Sequence, residues 1–224
     1  MSQVAVITGA AGGIGAGLAR EAARRGMQVV LADRDVAAVQ AVADEIGAAA
    51  MAVACDVTDP ASCEALAEAA YVAHGQVDLL FNNAGVAATK RIWEHSLADW
   101  EWQLGVNLWG VIHGIRTFVP IMLKQNTPCH IVNTASIAGL ISGSGLGLYK
   151  VSKHAVVTLS ETLYWDLADI SAQVGVSVLC PGWVQTQIWD SARNRSLSQP
   201  DFAPPKSGAS AGAMALKNLI QSGK

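Results

Sequence analysis

Short, nearly continuous apolar runs alternate with longer helical patterns along most of the chain, and this alternation limits the possible folds more than any other feature. The runs fall at residues 4–8, 28–32, 50–54, 77–82, 130–134 and 176–180. An unbroken apolar run, rather than an in-and-out alternation, is what a strand buried on both faces requires. Helical stretches are predicted between them near 14–25, 36–46, 61–74, 98–124 and 149–170. Asp59-Pro60 supplies a cap and first turn for the third helix, and Gly47 ends the second. Strands and helices in this order join through right-handed crossovers into a doubly wound parallel sheet, an α/β fold. The 224 residues suit one such domain, 1–224, with no repeat or composition shift to mark a second. Hydrophobic residues make up 51% and charged residues 15%, so a large core can form.

Composition also removes several classes of function. Lys and Arg number 15 against 18 Asp and Glu, a net charge of −3. Without a basic excess, no nucleic-acid partner is expected. The chain opens Met1-Ser2-Gln3 and passes straight into Val4-Ala5-Val6-Ile7, with neither a basic leader nor a long apolar region, so no signal peptide is expected. No apolar stretch approaches the ~20 residues of a bilayer span, and no membrane partner is expected. Cys55, Cys63, Cys129 and Cys180 are scattered, with no C-x-x-C pair and no His at ligand spacing. They read as small buried hydrophobes in a reducing cytoplasm, without a disulfide framework and without metal.

The first predicted strand runs into Thr8-Gly9-Ala10-Ala11-Gly12-Gly13-Ile14-Gly15. Glycines here let the backbone turn sharply and approach a pyrophosphate seated on the N-terminus of the next helix. The pattern is T-G-x-x-x-G-x-G. A full G-x-G-x-x-G fails because Leu18 stands where the last glycine would be. Asp33 ends the second strand, 18 residues beyond Gly15. A carboxylate there can accept from both adenosine ribose hydroxyls and repels a 2′-phosphate, which favours NAD over NADP. Arg34 beside it argues the other way. Charge and desolvation both penalise a phosphate against the carboxylate, so Asp33 carries more weight.

Tyr149-Lys150-Val151-Ser152-Lys153 puts a phenol and an ammonium four residues apart, on one face of a helix. A free phenol titrates near ~10, whereas a useful base is poised near ~7, a gap of about 4 kcal/mol. The Lys153 ammonium and the positive charge of an oxidised nicotinamide both have the sign to close it. Ser136 lies 13 residues upstream of Tyr149, in Asn133-Thr134-Ala135-Ser136, and Asn107 lies in Val106-Asn107-Leu108-Trp109-Gly110.

With these motifs in this order, from residue 4 to about 186, the chain resembles the short-chain dehydrogenase/reductase family. The resemblance implies a Rossmann fold and reversible hydride transfer between a secondary alcohol or ketone and nicotinamide. It assigns Tyr149 as the base, Ser136 as the group that steadies the alkoxide, and Lys153 as both phenol activator and ribose ligand. Asn107 becomes the fourth member, supporting a water that passes protons to Lys153. The cofactor set it implies begins with Gly9, Gly13, Ile14, Gly15 and Asp33. Asp56 and Val57 follow at the adenine edge, then Asn83, Ala84 and Gly85 of the Asn82-Asn83-Ala84-Gly85 element, with Asn82 a scaffold residue. Tyr149 and Lys153 also touch the cofactor, and Pro181, Gly182, Val184 and Thr186 meet the nicotinamide.

Three further expectations concern the substrate and the ends of the chain. The polar stretch 187–208 holds Pro200, Pro204 and Pro205 and suits a lid over the site. Trp183 and Trp189 flank its start and Trp93 follows the Asn-rich turn, which favours a bulky apolar or aromatic substrate. Trp100, Trp102, Trp109 and Trp165 lie on the two long helices that pair members of this family, so a homodimer or homotetramer is expected. Gly143-Ser144-Gly145-Leu146-Gly147 is read as a connection beside the substrate. His154 is read as a surface or packing residue. Family members usually continue into another edge strand, which this sequence approaches as it reaches Lys224; that last strand is expected to be missing. Two alternatives keep the same fold: a catalytically silent dinucleotide sensor or scaffold, and a non-redox epimerase or dehydratase.

Overall fold

The computed structural model describes residues 2–195. Six strands, β1 (Val4–Thr8), β2 (Gln28–Asp33), β3 (Ala50–Ala54), β4 (Leu79–Asn82), β5 (Cys129–Thr134) and β6 (Val174–Leu179), form one sheet in the order β3-β2-β1-β4-β5-β6. Every ladder is parallel, with Val6 opposite both Val30 and Leu80 at the centre. The chain therefore winds outward from β1 in one direction, then returns to β1's other side at β4. That reversal opens a crevice at the carboxyl ends of β1 and β4, where sheets of this kind bind ligands.

The helices are α1 (Gly13–Arg24), α2 (Val36–Ile46), α3 (Pro60–His74), α4 (Leu97–Leu104), α5 (Gly110–Gln125) and α6 (Gly147–Asp169). Side-chain alternation along β1 divides the core. Ala5 and Ile7 pack with Ala16, Ala19 and Ala22 of α1 and Val39 and Val42 of α2. Val4 and Val6 pack with Leu66 and Ala70 of α3 and Phe118 and Met122 of α5. The alanine stripe of α1 keeps its backbone close to the sheet, which fixes the start of that helix beside the β1 turn. Asp59 caps α3 by accepting the Ala61 N–H at 3.0 Å, with Pro60 in the first turn, and Gly47 (φ 84°) ends α2.

Several expected elements differ for identifiable reasons. Among the described residues β3 and β6 are the sheet edges, and their apolar runs are only half-buried rather than covered on both faces. β4 starts at Leu79 because Val77 donates its N–H to Gln125 and the Asp78 carboxylate takes the Val4 N–H at 2.7 Å. The long helix predicted at 98–124 is α4 and α5 joined through a wide π turn, Gly105–Trp109. The continuous rod Leu97–Gln125 is 29 residues long and matches a membrane span in length and composition, which overturns the expectation that no stretch would. Its buried residues, including Val111, Phe118 and Met122, pack into the fold as those of a core helix do. The awaited extra strand and the part of 187–208 beyond Arg195 lie outside the described residues.

Candidate active site

At the β1 end of the crevice, glycines are demanded by contact. A Cβ on Gly9 (φ 67°) would stand 2.7 Å from the Ala84 Cα, and one on Gly15 would stand 2.1 Å from the Gly9 carbonyl oxygen. The turn is thus folded against itself and against the segment leaving β4. A Cβ on Gly12 would meet nothing within 4 Å. The N-terminus of α1 has no side-chain cap and no acidic residue in its first turn, so its leading N–H groups keep their positive end for an anion. Asp33 accepts from the Ala11 N–H (3.1 Å) and the Asp35 N–H (3.0 Å), which ties β2 to the turn. Asp56 is held by the Thr58 N–H and hydroxyl. Asn83 donates to the Thr8 carbonyl at 3.0 Å, and the Thr8 hydroxyl receives the Asn83 and Ala84 N–H groups.

One cleft of about 500 Å³ runs from this turn to the residues expected for catalysis. Gly9, Gly13, Ile14, Asp33, Asp56, Val57, Asn83, Ala84 and Gly85 line it, as do Ser136, Tyr149, Lys153, Pro181, Gly182, Val184 and Thr186. Gly15 and Asn107 support it from behind. A Cβ on Gly13 (φ 54°) would lie 3.1 Å from the Thr186 methyl, so the two ends of the cofactor set meet there. Asn82, by contrast, is a buried strut, donating to Asn133 at 2.9 Å, and Asn133 in turn donates to Ser160.

Ser136, at the end of β5, accepts the Ala138 N–H and so caps the short turn that follows. Tyr149 and Lys153 share the buried face of α6, with the Lys153 Nζ 5.7 Å from the phenol ring centre. Lys153 donates to the Thr134 carbonyl at 2.7 Å, and burial lowers its ammonium to about 8. Burial also raises the Tyr149 phenol above its ordinary value, with the Ser136 hydroxyl opposing it. The depression expected from Lys153 is therefore absent in the chain alone, because its amine is turned toward Thr134. Asn107 sits fully buried in the π turn. Its Oδ1 accepts the Val86 N–H (2.8 Å), and its Nδ2 donates to the Val86 carbonyl and the Ser152 hydroxyl, both at 3.0 Å. That grip joins the segment after β4 to α6.

A Gly-rich β1 turn, a carboxylate at the end of β2, and Ser, Tyr and Lys around one cleft recur in proteins of known family. The family model for short chain dehydrogenases matches residues 3–196. The chain belongs to the short-chain dehydrogenase family. The CLA biosynthesis dehydrogenase/reductase of Lactiplantibacillus plantarum is 37% identical over 99% of this chain and 80% of its own length. The 1-deoxy-11-beta-hydroxypentalenate dehydrogenase of Streptomyces exfoliatus is 40% identical over 84% of this chain and 69% of its own. A crystal structure of a short-chain dehydrogenase/reductase from Burkholderia phymatum in complex with NAD superposes with a TM-score of 0.95, at 48% identity, covering all of this chain and 80% of that one. The chain is thus an oxidoreductase of a family that binds nicotinamide dinucleotides.

In this dehydrogenase the substrate end departs from expectation. Trp102 lines the cleft from α4 instead of facing outward with Trp109 and Trp165, which are 52% and 64% exposed. Trp93 is exposed beside Arg91 and does not line the cleft, whereas Trp183 and Trp189 do. Ile188 and Trp189 pack with Ala87, Leu146 and Tyr149. Leu146 adopts φ 56° in the expected glycine-rich connection, and α6 begins at Gly147. His154 is exposed and bonded to the Lys150 carbonyl. Sequence reasoning missed Trp102, Ser191 and Asp99. Only Asp99 left a local signal: Ser96-Leu97-Ala98-Asp99 is a capping box, and it forms.

Proposed function

We propose that this dehydrogenase transfers a hydride between a bulky apolar or aromatic secondary alcohol, or its ketone, and NAD. The observation that carries this reading is the convergence of Ser136, Tyr149 and Lys153 on the same cleft as the glycine turn and Asp33. The Gly9–Gly15 cradle, the uncapped α1 start and Asp33 fit a dinucleotide, with the diphosphate on α1 and the adenosine ribose at Asp33. When bound, the oxidised cofactor supplies a hydride acceptor and a positive charge near the phenol. Tyr149 takes the hydroxyl proton, and Ser136 donates to the oxygen as charge grows on it. Lys153 is placed to hold the nicotinamide ribose and to support the phenolate once it turns from Thr134. Both Nδ2 hydrogens of Asn107 are committed, so it would support a proton-carrying water as an acceptor.

Trp102, Trp183, Trp189, Leu146 and Ile188 make the substrate end apolar, which supports the substrate class. The exposed Trp109, Tyr164 and Trp165 support pairing into a cytoplasmic homodimer or homotetramer. The test is a nicotinamide reduction assay over aliphatic and aryl secondary alcohols, with NAD and NADP in parallel. Reduction of NAD by the bulkier alcohols is expected, and Tyr149→Phe should abolish turnover while dinucleotide binding persists. Substantial activity in that variant would sink the assignment of the base. Substrate conversion without net cofactor reduction would point to an epimerase or dehydratase instead.

A further inference from the structure

Beside the substrate end lies a buried ionic cluster that the catalytic reading does not use. Asp99, on the first turn of α4, has a side chain only 2% exposed. Its two oxygens do different work. Oδ2 takes the Lys90 ammonium at 2.8 Å and the Ser96 N–H at 3.0 Å, with the buried His95 imidazole 3.7 Å away. Oδ1 takes the Arg195 guanidinium, whose side chain is 6% exposed and which lies 5.3 Å over the Trp102 ring. The first set is local to α4 and the loop before it. The second reaches across 96 positions to the end of the segment that follows β6.

That segment is a wall of the cleft. Gln187, Ile188, Trp189 and Ser191 line it, and the backbone departs from helical geometry at Asp190. Beyond its apolar packing, its Ser191 hydroxyl accepts the Ala87 N–H at 3.2 Å, and its Arg195 pairs with Asp99. A buried carboxylate that loses all of its partners is severely destabilised. Here the loss of Arg195 would leave Oδ2 still paired with Lys90 and Ser96. The tie can therefore open without stranding the charge.

We propose that Asp99 is a positioning residue, an ionic latch through which Arg195 fastens the 187–195 wall to α4 and sets the shape of the substrate end. The kinetic part of the test rests on the dehydrogenase reading above; the exchange part does not. Arg195→Gln removes the latch cation and leaves Asp99 paired with Lys90, whereas Asp99→Asn risks misfolding by stranding two cations. In the full chain, Arg195→Gln should speed hydrogen exchange of the 187–195 amides about tenfold, with the β1–β5 amides unchanged. It should raise KM for the alcohol about tenfold, change kcat less than about threefold, and leave NADH affinity intact. Arg195→Lys, which keeps the charge, should recover most of both effects. Unchanged exchange at 187–195, or a lysine variant no better than glutamine, would overturn the latch. A KM within twofold of the parent, or an NADH dissociation constant rising in step with KM, would do the same. Should the parent chain turn over no alcohol, the dehydrogenase reading fails, and exchange still decides the latch.

Discussion

The two ends of the cleft are built by opposite means. The end proposed for the dinucleotide is made mostly from backbone: glycines without side chains and an uncapped helix start, with the carboxylates of Asp33 and Asp56, contributed by β1, β2, β3 and the turns that follow them. The substrate end is made from side chains: three tryptophans, Leu146 and Ile188, drawn from α4, the start of α6 and the segment after β6. The first must match one shape and leaves no room for an added atom at Gly9 or Gly15. The second must match a substrate, and packing, the Ser191–Ala87 hydrogen bond and the ion pairs of Asp99 shape it. Substitutions should therefore be all-or-nothing at one end and graded at the other.

The harshest test of that contrast is Gly15→Ala. The new methyl would lie 2.1 Å from the Gly9 carbonyl oxygen and 2.8 Å from the Asn83 Nδ2, so the turn must open. Overpacking of this kind costs about 3 kcal/mol of stability. Dinucleotide affinity should fall at least about a hundredfold, since backbone approach to the diphosphate is lost. NADH fluorescence titration and urea unfolding read the two effects, and near-normal binding would break the comparison. Next in size is Asp33→Ala, which removes the carboxylate proposed to meet the adenosine ribose. If Asp33 sets the proposed choice of NAD, the ratio of kcat/KM with NAD to that with NADP should drop by about two orders of magnitude. The chain should also lose about 1 kcal/mol from the orphaned Ala11 and Asp35 N–H groups. An unchanged ratio would show that Arg34 or another residue sets the choice.

The same contrast explains what the sequence made legible. The T-G-x-x-x-G-x-G turn, Asp33 and the Tyr149–Lys153 spacing are local patterns whose geometry follows from neighbours in the chain. Strand existence was equally local. Exposure of β3 and β6 was not, because sheet order decides which strands form edges. Trp102 and Trp109 stand on one rod with the same apparent role, yet one lines the cleft and the other is half-exposed. The π turn, which begins after Trp102 and ends on Trp109, has no composition signature. The partners in the Asp99–Arg195 pair lie 96 positions apart, and nothing in either neighbourhood announces the other. Lys153 was legible as a residue but its bonding was not: proximity to Tyr149 followed from helical spacing, whereas its bond to the Thr134 carbonyl depends on how β5 packs against α6.

Lys153 sits where the two ends meet, and it should show function opposing stability. Its folded value of about 8 lies below the unfolded ~10.4, so the native chain binds fewer protons between those values. Burial of the charged amine therefore destabilises the fold fully below pH 8, and stability should rise from about pH 8 to 10.4. Lys153→Met removes the charge. After the lost hydrogen bond to Thr134, a net gain of about 1–2 kcal/mol is expected at pH 7, fading above pH 10, while turnover is abolished. Thermal melts at pH 7 and pH 10 check this, and a destabilised variant at pH 7 would show that the amine is not penalised by its burial.

The mildest test compares two glycines of α1. Gly17 lies two positions beyond Gly15, in the same helix, but it is exposed and a Cβ there would meet nothing within 4 Å. No ligand contact or close approach requires it, so it only loosens the unfolded and helical backbone. Gly17→Ala should stabilise the chain by about 0.5–1 kcal/mol, because alanine gives up less conformational freedom on entering a helix. Dinucleotide affinity and kcat should match the parent. If Gly17→Ala instead weakened NADH binding, the cradle would extend past the first turn of α1. The sharp boundary drawn between backbone that must touch the cofactor and backbone that only carries it would then move by half a helical turn.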